Sequence, residues 1–92
     1  MFSGEAVRVR LRMPVSAAGQ VYDAFGQYAR MEPEADGENM VVQLESSLEN
    51  MRIFALQYAG LCEVLEPAAL RQMVRQDVER IARRYGIEIE VE

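Results

Sequence analysis

Val7, Val9, Leu11 and Met13 alternate with Arg8, Arg10 and Arg12. A two-residue repeat matches a β-strand, whose successive side chains point to opposite faces, so the pattern predicts a strand over Ala6 to Met13 with one apolar and one cationic face. Pro14 brings no N–H to a continuing ladder and ends it. Helical spacing follows: Val21, Ala24 and Phe25 predict a short helix with Ser16 as its N-cap and Gly26 as its stop. Ala29 to Glu34 reads as a second strand, and the Asp36-Gly37 pair within Ala35 to Asn39 predicts a hairpin turn. Met40 to Glu45 is then a third strand, with Met40, Val42 and Leu44 facing the core and Val41, Gln43 and Glu45 facing outward.

Ser46 stands three residues before Glu49, the spacing of a capping box, which predicts a second helix starting there. Leu48, Met51, Phe54, Ala55 and Tyr58 recur at steps of three and four, and Gly60 is positioned to end that helix. Leu61 to Leu65 forms a short apolar strand. Pro67 suits a first helical turn, where no internal hydrogen bond is lost, and Leu70, Val74, Val78, Ile81 and Tyr85 mark one stripe of a last helix closed by Gly86. The tail Ile87 to Glu92 alternates strictly and reads either as an edge strand or as a frayed end.

The order is βαββαβα. Antiparallel pairing and right-handed crossovers turn its first six elements into an α+β, ferredoxin-like split βαβ sandwich (βαββαβ) with an added C-terminal helix. Both earlier helices then cover one sheet face. The other face carries Arg8, Arg10, Arg12, Gln43 and Glu45 and is left for solvent, a ligand, another subunit or another domain.

Composition narrows the class. The 92 residues make one domain, half of them hydrophobic and 27% charged, close to a globular average. No apolar run approaches the roughly 20 residues of a membrane helix, and Met1 to Glu5 has neither a charged segment nor a long apolar one, so a cytoplasmic chain without membrane contact is expected. With one Cys and no His, neither a disulfide framework nor a usual zinc constellation can form, and no metal or cofactor is expected. The formal charge of −5 opposes adhesion of the whole surface to nucleic acid.

All ten basic residues are Arg. Arg8, Arg10 and Arg12 match the bidentate fork that binds phosphate, which makes them the candidate ligand-binding or inter-domain residues, with a phosphate-bearing ligand or a nucleic-acid strand as the ligand. The plainer reading is a solvated strand face paired with Glu45 and its neighbours. Cys62 is a redox sensor only if exposed with a depressed pKa, and a buried small hydrophobe is preferred. Arg80, Arg83 and Arg84 complement a helix C-terminus. Glu32, Glu34, Asp36 and Glu38 lack the spacing of a calcium loop. Asp23 and Glu63 do not form an evident acid–base pair, so no catalytic residue is assigned and no enzyme is expected. The six methionines fit core filling.

Several short motifs stand in a suggestive order. Gln57-Tyr58-Ala59-Gly60, an apolar strand, Val64-Leu65-Glu66-Pro67 and a Leu-bearing helix closing at Tyr85 resemble the C-terminal extension (WCX) domain of WYL-domain bacterial transcriptional regulators. Phe2-Ser3-Gly4-Glu5, Val7-Arg8-Val9-Arg10-Leu11 and Asp23-Ala24-Phe25-Gly26 resemble its linker, first strand and first helix end, so the likeness spans residues 2 to 85. It implies a regulator with a DNA-binding winged helix-turn-helix, a ligand-sensing β-barrel bearing a Trp-Tyr-Leu signature, and an extension that aids sensing and homodimerisation. This chain holds no Trp, no Tyr-Leu pair and no room for a helix-turn-helix. A fragment is therefore expected in preference to a free-standing extension, with DNA contacted only through the absent domain and a nucleotide or oligonucleotide as the candidate effector. Two other classes remain open: a stand-alone ferredoxin-like small-molecule-binding module, and an acylphosphatase-like enzyme, which Met13 to Ala17 disfavours because it is not rich in Gly or Arg.

Overall fold

A computed structural model describes residues 5–88. Strand β1 (Ala6–Pro14) leads through a 3-10 turn (Val15–Ala17) into helix α1 (Ala18–Phe25). After a second 3-10 turn (Gly26–Tyr28) come β2 (Arg30–Pro33) and β3 (Asn39–Ser47), then α2 (Leu48–Gln57), β4 (Glu63–Glu66) and α3 (Ala68–Arg84). The four strands form one sheet in the order β2-β3-β1-β4, with antiparallel pairing at every step.

Alternation in β1 and β3 works as the pattern requires. Val9, Leu11, Met13, Met40, Val42 and Leu44 are buried on the inner face, where Val21 of α1, Met51, Phe54 and Ala55 of α2 and Leu70 of α3 join them in one core. Each fully buried large side chain contributes about 1.5–3 kcal/mol relative to exposure. Phe54 links the first two helices, its ring centroid 4.9 Å from those of both Phe25 and Tyr58.

The turns carry the chain where local chemistry allows. Gly26 ends α1 with φ +58 and Gly37 turns the hairpin with φ +72, both in the region that favours glycine. Asp36 Oδ1 accepts from the backbone N–H groups of Glu38 and Asn39. Those bonds, that of Asn39 first, hold the Asp36 carboxyl below its ordinary pKa. At the end of α3 the Ile87 N–H reaches Ala82 O and the Gly86 N–H reaches Arg83 O, a Schellman closure with Gly86 at φ +69.

Several boundaries move from their expected places. Ser16 caps no helix, because Val15 donates to Glu38 O and the chain makes a 3-10 turn before α1 begins. The N-cap expected at Ser46 is displaced by one residue, and Glu49 does not complete a capping box. Since β3 stays paired with β1 through Ser47, that residue is the N-cap of α2, and its Oγ accepts from the Asn50 N–H at 3.1 Å. Helix α2 stops at Gln57, and Gly60 does not adopt a left-handed conformation. Strand β4 starts two residues late, and Pro67 takes the N-cap position of α3.

The stripe on α3 is buried only in its first half. Leu70 is buried and Val74 partly so, whereas Val78, Ile81 and Tyr85 are exposed, and Asp77 and Ala82 are buried instead. Helix α3 is longer than β4, so its last turns run past the core. The possible edge strand at 87–92 lies mostly outside the described residues; Ile87 and Glu88 belong to no strand.

Candidate functional site

The face of the sheet away from the helices is ruled by register. Arg8 pairs with Glu45, Arg10 with Gln43 and Arg12 with Val41 across β1 and β3, while Arg30 and Glu32 of β2 pair with Gln43 and Val41. Cross-strand partners share a face, so Arg10, Gln43 and Arg30 form one row, with Arg8 and Glu45 in the next. Successive rows on one face are about 6.6 Å apart.

The three arginines named from the sequence lie together on this face but are not equivalent. Arg12 is spent. Its Nε and Nη2 donate to the two carboxylate oxygens of Glu34 at 3.0 and 3.1 Å, and Nη1 donates to Glu63 at 3.4 Å. The Glu34 hydrogen bond and charge push its pKa up. Glu63 is held in turn by Arg71 of α3, whose Nη1 also donates to Val64 O at 2.6 Å. An ion-pair chain thus crosses from the hairpin to the last helix.

Arg10 has a single weak partner, Glu66 at 3.4 Å, with both side chains well exposed. Arg8 has no ion pair or side-chain hydrogen bond among the described residues, although Glu45 lies directly across in register. Of the expected pairing with Glu45 and its neighbours, the register places Arg8 opposite Glu45 but no ion pair joins them among the described residues; Glu34, Glu63 and Glu66 hold Arg12 and Arg10.

Arg30 and Tyr28 complete the unspent end of the face, and the sequence reading missed both. Arg8, Tyr28, Arg30, Gln43, Leu44 and Glu45 line a shallow cleft of about 570 Å³. Arg30 also forms no ion pair among the described residues, and Tyr28 is 82% exposed. The Asp36-Gly37 turn was the signal that could have found Arg30, because a hairpin centred there sets Arg30 opposite Gln43. The Gln43 Nε2 donates to Glu32 Oε1 at 3.4 Å, a long exposed contact. This end can offer two or three guanidiniums to an anion, an aromatic ring face, and the Glu45 carboxylate to a hydrogen-bond donor.

The remaining candidates resolve simply. Burial, and after it the charge of Glu63, pushes the half-buried Cys62 thiol up to about 11, which keeps it protonated and a poor nucleophile. In the acidic hairpin Glu34 is committed to Arg12 and Asp36 to the turn backbone, and no group of three or more potential metal-ligating side chains forms among the described residues. Arg80, expected only to complement the helix end, bonds Asp77. Asp77 is 3% exposed and also accepts from Arg52 of α2 at 2.8 and 2.9 Å, which clamps the seam between the two helices. No helix among the described residues is long and apolar enough to cross a membrane.

Comparison with known families agrees with the order of motifs in the chain. Residues 5–82 match the WCX domain, most of the chain's length, and the chain belongs to that family. It is thus of the kind found as the C-terminal domain of WYL transcriptional regulators. A search of curated proteins finds no significant match.

Proposed function

We propose that this chain is the ligand-sensing and dimerising part of a cytoplasmic WYL-type transcriptional regulator, whose DNA-binding and barrel domains lie outside these 92 residues. The observation that carries the reading is the WCX match over residues 5–82. Its sensing surface is the unspent end of the open sheet face, where Arg8, Arg10 and Arg30 surround Gln43, and its effector is an anionic small molecule of the nucleotide or oligonucleotide class. The fold belongs with the ferredoxin-like sandwiches. The strand order β2-β3-β1-β4 with antiparallel neighbours supports that assignment, and α3 is the added element.

The role is binding, not turnover; hydrolysis of an acyl phosphate by the chain would contradict it. The direct test is light scattering with and without a nucleotide panel. A mass of twice 10.5 kDa, or a shift toward it when a nucleotide is added, is expected. A strict monomer that responds to no nucleotide or oligonucleotide would overturn the reading. An immunoblot of source cells sizes the native polypeptide: a band near 300 residues, roughly three ordinary domains, is expected for a regulator.

A second reading, a stand-alone small-molecule-binding module, draws on the same open sheet face, whose Arg8 and Arg30 have no ion pair among the described residues. A native band at the mass of this single domain would favour it.

A further inference from the structure

We propose that the cleft formed by Arg8, Tyr28, Arg30, Gln43 and Glu45 binds a guanine nucleotide unit, either free or within a single-stranded oligonucleotide, with its phosphate over Gln43 and its base edge on Glu45. The proposal rests on the reading of this face as the effector site and adds the identity of the base.

The row of Arg10, Gln43 and Arg30 sets an amide between two guanidiniums, with Arg8 diagonal to it. The Gln43 Nε2 makes one long, exposed contact with Glu32 Oε1 at 3.4 Å, which an anion above the row has to displace. Neither Arg8 nor Arg30 has an ion-pair partner among the described residues, and Arg10 has only the 3.4 Å contact with Glu66 to exchange. An anion placed above Gln43 meets charge-assisted donors from three strands, the pattern suited to a phosphate.

Glu45 decides what the rest of the ligand must be. It stands one row along from the anion position, lines the cleft, and makes no ion pair with Arg8 across from it. A bare phosphate gains nothing from that carboxylate and is repelled by it. A ligand that carries an anion at one end and hydrogen-bond donors at the other uses both rows. Tyr28, 82% exposed at the rim, offers a ring face on which a flat heterocycle can stack.

Among nucleobases, guanine presents an imino N–H beside an exocyclic amine, two parallel donors matching the two oxygens of one carboxylate. Hypoxanthine keeps only the imino proton, and uracil likewise offers one. Adenine and cytosine have the amine but no adjacent imino proton. The carboxylate therefore discriminates by donor count, and losing one of two charge-assisted bonds in a partly exposed site weakens binding by roughly tenfold.

The experiment is calorimetric titration of the 92-residue chain with GMP, IMP and UMP, and with two single-stranded DNA pentamers, one all-thymine and one with a central guanine. GMP, or the guanine pentamer, is expected to bind roughly tenfold more tightly than its counterpart lacking the paired donors. Binding of GMP itself identifies a free nucleotide as sufficient; binding of the guanine pentamer alone identifies an oligonucleotide. Glu45→Gln is expected to erase the difference between GMP and IMP, while Arg8→Gln with Arg30→Gln weakens every nucleotide alike. Because the discrimination is read from the ligands on the unaltered chain, it stands even if a variant folds poorly. Equal affinity for GMP, IMP and UMP, together with equal affinity for the two pentamers, overturns the base assignment and leaves the anion site standing. Absence of binding by all five overturns both.

Discussion

Arginine serves opposite purposes in two regions of this molecule. At the seam of α2 and α3, Arg52 and Arg80 converge on Asp77, a carboxylate 3% exposed, and every charge has its partner. On the open sheet face the partners of Arg12 and Arg10 are more exposed, and Arg8 and Arg30 have none among the described residues. The residue type is the same; the burial of the carboxylate decides the role. A buried carboxylate needs its cations to offset desolvation, whereas an exposed guanidinium is solvated and available. Asp77 therefore belongs to stability, whereas Arg8 and Arg30 are left available for the recognition proposed for this face.

The largest expected effect is at the seam. Asp77→Ala removes the common acceptor of two arginines and leaves a gap beneath them, so a loss of about 2–3 kcal/mol in denaturant unfolding is expected, limited by the access of Arg52 and Arg80 to water. A loss no greater than that of an ordinary surface substitution would erase the contrast between the regions.

A smaller effect is expected where the ion-pair chain on the open face meets β4. Cys62 sits there beside Glu63, with its thiol raised from 9.0 to about 11. A group raised on folding gives stability that is fully present below its unfolded pKa. That contribution is lost as pH rises from 9.0 toward about 11. Melting curves across this range should show the parent losing stability relative to Cys62→Ala; parallel curves would contradict the burial of the thiol.

Arg12→Gln should lower the melting temperature only slightly, because exposed pairs gain little and are screened by salt. Its effect should shrink further in high salt, in contrast to that of Asp77→Ala. The smallest change in stability belongs to Arg8→Gln with Arg30→Gln, whose melting curve should overlay that of the parent. A clear destabilisation would mean these arginines hold the fold.

The sequence was most legible where period and burial coincide. Val9, Leu11 and Met13 alternate with arginines, and the structure puts each on its expected side. It was less legible where a tertiary limit overrides a local pattern. The apolar stripe on α3 continues to Tyr85, but β4 has only four residues to pack beneath it, so Val78 and Ile81 emerge into solvent while Asp77 is buried against Arg52. Ser47 displaces Ser46 as the cap because the β1 ladder extends two pairs past Glu45, where the apolar alternation of β3 ends.

The site shows the same limit. Alternation located Arg8, Arg10 and Arg12 on one face, but not which of them would be neutralised. The carboxylates that spend Arg12 come from a hairpin 22 residues away and a strand 51 residues away. Arg30 sits in a strand of four residues with too little alternation to announce itself, and only the hairpin register brings it to Gln43.

The most direct test of the division within the open face is NMR observation of the arginine Nε–H signals during titration with a nucleoside monophosphate. Saturable shifts are expected for Arg8, Arg10 and Arg30, with Arg12 and Arg52 unmoved because their carboxylates already hold them. Shifts of equal size at Arg12 and Arg52, or no saturable shift at Arg8 and Arg30, would contradict that division.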